Sequence, residues 1–572
     1  MRRWRTLPTL AALGLAIAAC TTPATSPAQS AGGDASAAPS DPGTATGGTV
    51  RIGMKGYPDS LNPGNGVLSE SYIMYELVYD APLSVTADGE YVPELATDWE
   101  VSEDGLTWTM TIRDDVVFHD GEPLTAEDVA FTMQLYKDTE AFPFLPSYVS
   151  SFETIEATDA TTVTLTTAEP YAAFEPAMVF VYVLPKHIWE GVDDPVEFAN
   201  DEMIGSGPFK LNEASQGEFV DLATNADYWG TAANIDGVIF QVIENDDARV
   251  TALTSGQVDA ISDVPDTAIP GLQNAENVKV HIADVAAGGS LSDIFFNVTA
   301  DEDCPEDDGS GNPAVCSGHP ALKDVEVRRA LAHATDKEQL LTVGTGGLGS
   351  VGLSLVPPGL GDFYGSEITD YAYDVAAANA LLDDAGYEDT NGDGIRECLA
   401  DQDCDDLTMR LNYPNDSTSG PRESDLLKSM WSEVGVNLVV QPLDPDTLTS
   451  VCCPTFDFDV IMWGWGSDPD PAFLLGVALC SEIDSGFSET GYCNPDFDAL
   501  YDAQSVETDV PTRVDLIHQM QQILIDDVPY IIPYYYPDTG AWRTDTFTGW
   551  LETDPTLGLQ DASNLTVLRP AE

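Results

Sequence analysis

Trp463-Gly464-Trp465-Gly466-Ser467-Asp468 sets two indoles and a carboxylate around two glycines, following an apolar run. Indoles offer flat apolar faces and an N–H donor, and glycines let a ligand approach the backbone. Asp468 is suited to accept an amine, because a carboxylate withdrawn from water makes strong charge-assisted hydrogen bonds. The plainer alternative keeps both tryptophans in a core and has Asp468 cap the Pro469-Asp470-Pro471 turn.

Reactive chemistry has no comparable foothold. The six histidines, His119, His187, His281, His319, His333 and His518, are too scattered for a His-Glu-x-x-His zinc site. The chain lacks a Gly-x-Ser-x-Gly elbow, a Ser-x-x-Lys pair and a P-loop. We therefore expect no enzyme. Acidic pairs abound, so a carboxylate-based secreted hydrolase is the rival class, and a surface receptor or adhesin the third.

Asp389-Thr390-Asn391-Gly392-Asp393-Gly394-Ile395 follows the first part of a calcium loop. Asp389, Asn391 and Asp393 supply oxygens at positions one, three and five, Gly394 stands at six, and the Ile395 carbonyl falls at seven. Position twelve is Ala400 where a bidentate glutamate belongs, although Asp401 and Asp403 are close. An acidic turn without metal is the favoured reading, and calcium is the one cofactor to be weighed.

The 97 acidic residues against 22 basic ones give a net charge of −75. A chain this acidic repels phosphate backbones and anionic lipid, which excludes nucleic acid as a partner. The charge serves solubility, and salt tolerance is a further expectation. A length of 572 residues with 43% hydrophobic content is enough for more than one core.

Nine cysteines are present. Setting Cys20 aside leaves an even set, read as disulfides outside the cell. Cys304 with Cys316 and Cys398 with Cys404 are close in sequence, and each pair would pinch off an acidic loop. Cys452 and Cys453 either reach Cys480 and Cys493 or bridge each other while those two pair. Zinc is disfavoured, since no Cys-x2-Cys spacing occurs.

The start has Arg2, Arg3 and Arg5 ahead of an apolar stretch that ends in small residues at Cys20, as a secretory signal requires. The stretch is shorter than the ~20 residues of a spanning helix. Ile17-Ala18-Ala19-Cys20 resembles the bacterial lipobox, which implies cleavage before Cys20 and diacylation of its sulfur. Sec export is favoured over twin-arginine export. Residues 21–48, nearly all Thr, Ser, Ala, Pro, Gly and Asp, read as a disordered tether. No other apolar run is of spanning length, so the mature chain is not expected to be a permease itself.

The elements that would position these groups alternate. Thr49–Met54 and residues 106–113 read as strands, and Thr125 caps a helix with Asp128 three residues on. Residues 237–244 read as a strand, 246–255 as a helix and 258–261 as a short strand. Beyond Gly288-Gly289, residues 294–298 and 458–463 read as strands, and 325–335 and 374–385 as helices. A mixed α/β chain of two units is predicted.

Several segments then add up. Ser60-Leu61-Asn62-Pro63, Pro93-Glu94-Leu95-Ala96-Thr97-Asp98-Trp99 and Phe118-His119-Asp120-Gly121-Glu122-Pro123-Leu124-Thr125-Ala126-Glu127-Asp128-Val129 resemble, in order and spacing, the signature region of family 5 extracellular solute-binding proteins. Gly205-Ser206-Gly207-Pro208-Phe209, Asn225-Ala226-Asp227-Tyr228-Trp229-Gly230, residues 248–259 and Val325–Lys337 continue the likeness. It extends over nearly everything after Gly48, and most of the matching residues are expected to serve the fold.

The resemblance implies a two-lobed periplasmic-binding-protein-like clamp (type II, cluster C-like) of mixed sheets with flanking helices. It places residues 1–20 as signal peptide, 49–285 with 532–572 as lobe I, and 286–531 as lobe II. Ligand sits between the lobes in such clamps. Tyr57, Ser69, Ser71 and Tyr72 fall in segments that line the pocket in relatives, and Phe295 and Asn297 near the hinge. In dipeptide binders of the family an amine-binding aspartate stands where this chain has Trp465, which weakens a dipeptide assignment. The implied function is capture of a solute by a monomeric lipoprotein, lipid-anchored on the extracellular face of the cell membrane, for an ABC permease whose ATPase is a separate chain. Oligopeptide leads, then carbohydrate, then a nickel chelate.

Overall fold

Thr49–Met54 forms the strand that its alternation predicts, with Val50, Ile52 and Met54 buried. The computed structural model describes residues 47–571 except 87–88, 140, 286–288, 307–312, 467 and 551–557. The leader, Cys20 and nearly all of the tether lie outside the described residues, as does Ser467. Thr49–Met54 lies inside a seven-stranded sheet, parallel to both Gly237–Val242 and Ala260–Ser262. Helix Asp246–Ser255 connects those two neighbours. Asn245 starts it by accepting from Ala248 N, and Gly256 ends it in the left-handed region at φ 78°.

A small antiparallel sheet, in the order Ala96–Val101, Thr107–Ile112, Thr162–Thr167 and Phe152–Asp159, carries helix Ala126–Asp138 against it. That helix begins with the expected capping box: Asp128 Oδ2 accepts from Thr125 N at 2.9 Å while Thr125 Oγ1 accepts from Glu127 N.

A six-stranded sheet follows, in the order Ser350–Val351, Tyr530–Tyr536, Ser290–Phe296, Val460–Trp465, Thr408–Pro414 and Asn437–Leu443. Its central strands are mostly apolar because both faces are covered, with Ser292 and Asp293 as buried polar exceptions. Ile294, Phe296 and Met462 enter one core, and Leu291, Phe295 and Ile461 enter another on the opposite face. The fold is thus a two-lobed α/β clamp, one lobe around each large sheet.

The chain passes between the large sheets twice. It leaves the first after Val278–Ile282 and enters the second at Ser290, in a passage that includes the undescribed residues 286–288. It returns between Tyr530–Tyr536 and Thr539–Arg543, at Pro537-Asp538. This corrects the return expected at residue 531. The run 529–535 marks a buried strand but does not reveal which sheet takes it, and residues 532–536 remain in the second.

The recurrent motifs turn out to be internal fastenings. Asp80, 1% exposed, accepts from Ser206 Oγ at 2.7 Å, Trp229 Nε1 at 2.9 Å and Tyr228 Oη at 3.0 Å. Gly205 and Gly207 press on the end of helix Ser69–Val78 so closely that a Cβ on Gly205 would lie 2.0 Å from the Val78 carbonyl oxygen. Burial holds the His119 imidazole down at about 4, so it stays neutral between Gly205 N and Gly207 O. Arg328 is buried and donates to the carbonyls of Leu322 and Asp527.

The disulfides are Cys304–Cys316, Cys398–Cys404, Cys480–Cys493 and the vicinal Cys452–Cys453. Of the two arrangements open for the last four cysteines, the vicinal one is present. No helix among the described residues is long and apolar enough to cross a membrane.

Candidate ligand-binding cleft

The strand expected to stop at Trp463 runs on through Trp465. Glycine at 464 does not break it, and the alternation puts both indoles on one face. Trp463 packs on the second lobe's core. Trp465 packs on that core too and also meets an aromatic cluster, with ring centroids 6.0 Å from Phe473, 6.4 Å from Phe487 and 6.3 Å from Phe144 of the first lobe. Its Nε1 donates to Glu489 Oε2 at 2.9 Å.

Asp468 lies just beyond, and the first lobe reaches it. Tyr148 Oη donates to Asp468 Oδ2 at 2.9 Å, and the Tyr148 ring stacks on Phe473 at 5.6 Å and Phe180 at 4.8 Å. Burial, with the nearby Asp470 charge, pushes the Asp468 carboxyl up to about 7 against the partial relief of the Tyr148 bond. The side-chain bond that closes the turn is made by Asp470, whose Oδ1 accepts from Ala472 N at 2.8 Å. Asp470 is itself gripped by both guanidinium nitrogens of Arg513, at 2.6 and 2.7 Å.

A second patch of inter-lobe contacts is ionic. Lys55 Nζ lies 3.1 Å from Asp416 and Arg422 Nη2 lies 3.4 Å from Asp266. Cavities of about 520 and 220 Å³ open beside these pairs. Residues 244–247 and 265–268 face 415–418 in the larger, and Lys55, Asp263 and Asp538 face Gly344, Thr345 and Leu348 in the smaller. The first turn of helix Ser69–Val78 links the two patches. Glu70 feels the charges of Asp263 and Lys55, whereas burial and the Asp468 charge together raise Tyr72. The interface between the lobes is thus the candidate cleft, aromatic at one end and ionic, with both cavities, at the other.

The other expected site residues are distributed unevenly along it. Tyr57 is half-buried against the first core, and Ser69 is exposed, its hydroxyl 3.3 Å from Glu70 Oε2. Ser71 is fully buried, donating to Asp59 Oδ1 at 2.7 Å and accepting from Ser60 N at 3.1 Å. It secures the Ser60–Pro63 turn and does not line the cleft. Phe295 is enclosed in core beside Phe458 and Tyr530. Asn297, 1% exposed, donates to the carbonyls of Phe456 and Phe458 and accepts from Thr299. Ser71, Phe295 and Asn297 are corrected from ligand contacts to internal ones, because proximity to a hinge in sequence does not say which way a side chain points.

In the candidate calcium loop the oxygens serve the loop's own backbone. Asp389 accepts from Gly392 N and Gly394 N, Asn391 from Asp393 N, and Asp393 from Ile395 N. Glu397 closes the loop by accepting from Thr390 N and Asn391 N. The only described group with metal-ligand proximity is His319 with Cys398 and Cys404, whose sulfurs are bonded to each other.

Phe144, Tyr148, Phe473, Phe487 and Glu489 were not foreseen. The aromatics sit in short helices and loops without periodicity, and one more glutamate carries no signal in so acidic a chain.

The family model for bacterial extracellular solute-binding proteins, family 5 middle, matches residues 90–484. The oligopeptide-binding protein AppA of Bacillus subtilis is 26% identical over 518 residues, covering 88% of this chain and 89% of that protein. The structure of AppA with a nonapeptide superposes with a TM-score of 0.80 at 24% identity, covering 93% of this chain and 100% of that one. NikZ of Campylobacter jejuni in complex with Ni(L-His) superposes with a TM-score of 0.78 at 21% identity, covering 91% and 99%.

Proposed function

The chain belongs to family 5 of the bacterial extracellular solute-binding proteins, and on that premise we propose that it captures oligopeptides outside the membrane and hands them to an ABC permease driven by a separate ATPase. The observation that carries this is the cleft's aromatic end. Trp465, Phe473 and Phe487 of one lobe and Phe144 and Tyr148 of the other form an apolar surface around a single reachable carboxylate, Asp468. Such a surface accepts apolar side chains while Asp468 takes an amine.

Closure on a ligand is a population shift, and a solute stabilises the closed state by its differential affinity for it. The Tyr148–Asp468 bond lies between the lobes, so an amine reaching Asp468 replaces a tyrosine contact with a stronger ionic one. The 26% identical relative is named for oligopeptide binding, which supports peptide ahead of sugar. Attachment through diacylated Cys20 and a tether keeps the binder at the outer face of the membrane and raises its effective concentration beside the permease.

A thermal-shift screen of purified protein against tri- to pentapeptides, oligosaccharides and nickel chelates tests the reading. Peptides are expected to raise the melting temperature and to be recovered intact. Stabilisation by sugars or nickel chelates alone, or peptide cleavage, would overturn it.

A further inference from the structure

The charges along the cleft are unbalanced in one direction. Three cations reach its ionic end and each already has an acid: Lys55 with Asp416 at 3.1 Å, Arg249 with Asp246 at 2.6 Å, and Arg422 with Asp266 at 3.4 Å. No other lysine or arginine lines the two cavities among the described residues. Glu244, Asp247, Asp263 and Asp538 line them too, and none is in an ion pair among those residues.

The aromatic end repeats the pattern. Arg513, which reaches the turn after Asp468, is held by Asp470. Asp293, 0% exposed, stands opposite Trp463 on the face that bears both indoles, and neither of its carboxylate oxygens has a hydrogen-bond partner among the described residues. Glu489 is its electrostatic neighbour and is tied to Trp465. General acidity of the chain accounts for Glu244, Asp247, Asp263 and Asp538, which are exposed, but not for the aromatic end, where Asp293 is 0% and Glu489 7% exposed. Burial holds the Asp468 carboxyl up at about 7 and raises that of Glu489 as well.

Like charges crowded away from water raise each other's cost, and a ligand bringing positive charge relieves it. A ligand carboxylate would find every cation taken and would add repulsion. We infer that the cleft selects multiply cationic solutes, peptides with basic side chains, and makes no demand on a free peptide carboxylate. The inference rests on the peptide-capture reading above and narrows it.

Calorimetric titration of the full chain at pH 8 with four probes tests it: Lys-Ala-Lys as free acid, the same peptide as C-terminal amide, Ala-Ala-Ala and Glu-Ala-Glu. The two lysine peptides should bind within about threefold of each other, the neutral peptide at least tenfold more weakly, and the acidic one undetectably. Equal binding of neutral or acidic peptide, or a tenfold loss on amidation, overturns the charge inference while leaving peptide capture standing. Silence from all four beside binding of an oligosaccharide overturns both. The double variant Asp263→Asn with Asp538→Asn keeps side-chain volume, and asparagine tolerates the positive φ of 51° at position 263. It should lose at least tenfold for the lysine amide with an unchanged melting temperature, and retained affinity overturns the inference.

Discussion

Tyr148 and Asp468, 320 residues apart in sequence, share a 2.9 Å hydrogen bond that joins one lobe to the other beside Trp465. A phenol and a carboxylate at that position make the lobe-to-lobe contact depend on the same group that would receive a ligand amine. On the proposed function, closure and recognition are coupled at that carboxylate.

Replacing the phenol tests this coupling. Tyr148→Phe keeps the ring stacked on Phe473 and Phe180 and removes only the hydroxyl. The ligand-free protein should become more open, read as a larger radius of gyration in solution scattering, while saturating ligand restores the compact form. An unchanged radius without ligand would show that the bond contributes nothing to closure.

Burial and Asp470 raise the Asp468 carboxyl from its ordinary 3.8 to about 7. The folded protein then holds this proton more tightly than the unfolded chain does. Its contribution to stability is full below about pH 4 and is lost as pH rises through 7. A cationic ligand needs the ionised form, so its affinity moves the other way and should climb between pH 6 and pH 8. Asp468→Asn should flatten that climb; titrations at three pH values check it, and an identical slope in the variant would rule Asp468 out as the titrating group.

Asn297 satisfies two carbonyls and two donors of Thr299 inside the second lobe. Asn297→Ala leaves those groups buried without partners and should cost about 2–3 kcal/mol in denaturant unfolding. Ligand affinity of the folded fraction should stay within twofold. A variant that kept full stability but lost binding would return this residue to the site.

Much of the fold was legible because its signals are local. The Thr125–Asp128 box, the alternation of Thr49–Met54 and the helix at Asp246–Ser255 each depend on neighbours in sequence, and each formed as expected. The site was legible only in part. Trp465 and Asp468 stood out by type, but Tyr148 and Phe144 matter through contacts made across hundreds of residues, and nothing in their own surroundings distinguishes them. Asn297 and Ser71 failed for another reason: the direction of each side chain was decided by tertiary packing, about which a position along the chain is silent.

Anchoring makes a separate claim about where the protein acts. Cys20→Ala should release the protein into the medium and lower solute uptake by cells, with ligand affinity of the purified protein unchanged. Uptake at the original level would show that tethering is incidental to transport.

The central claim is that solute is held between the lobes against Trp465 and Asp468. Its most direct test is calorimetric titration of the lysine-containing tripeptide into the wild-type chain, Trp465→Ala and Asp468→Asn, with melting curves recorded alongside. Wild type should bind, each variant should lose about tenfold or more, and all three should remain folded. Undiminished binding by both folded variants would contradict the account.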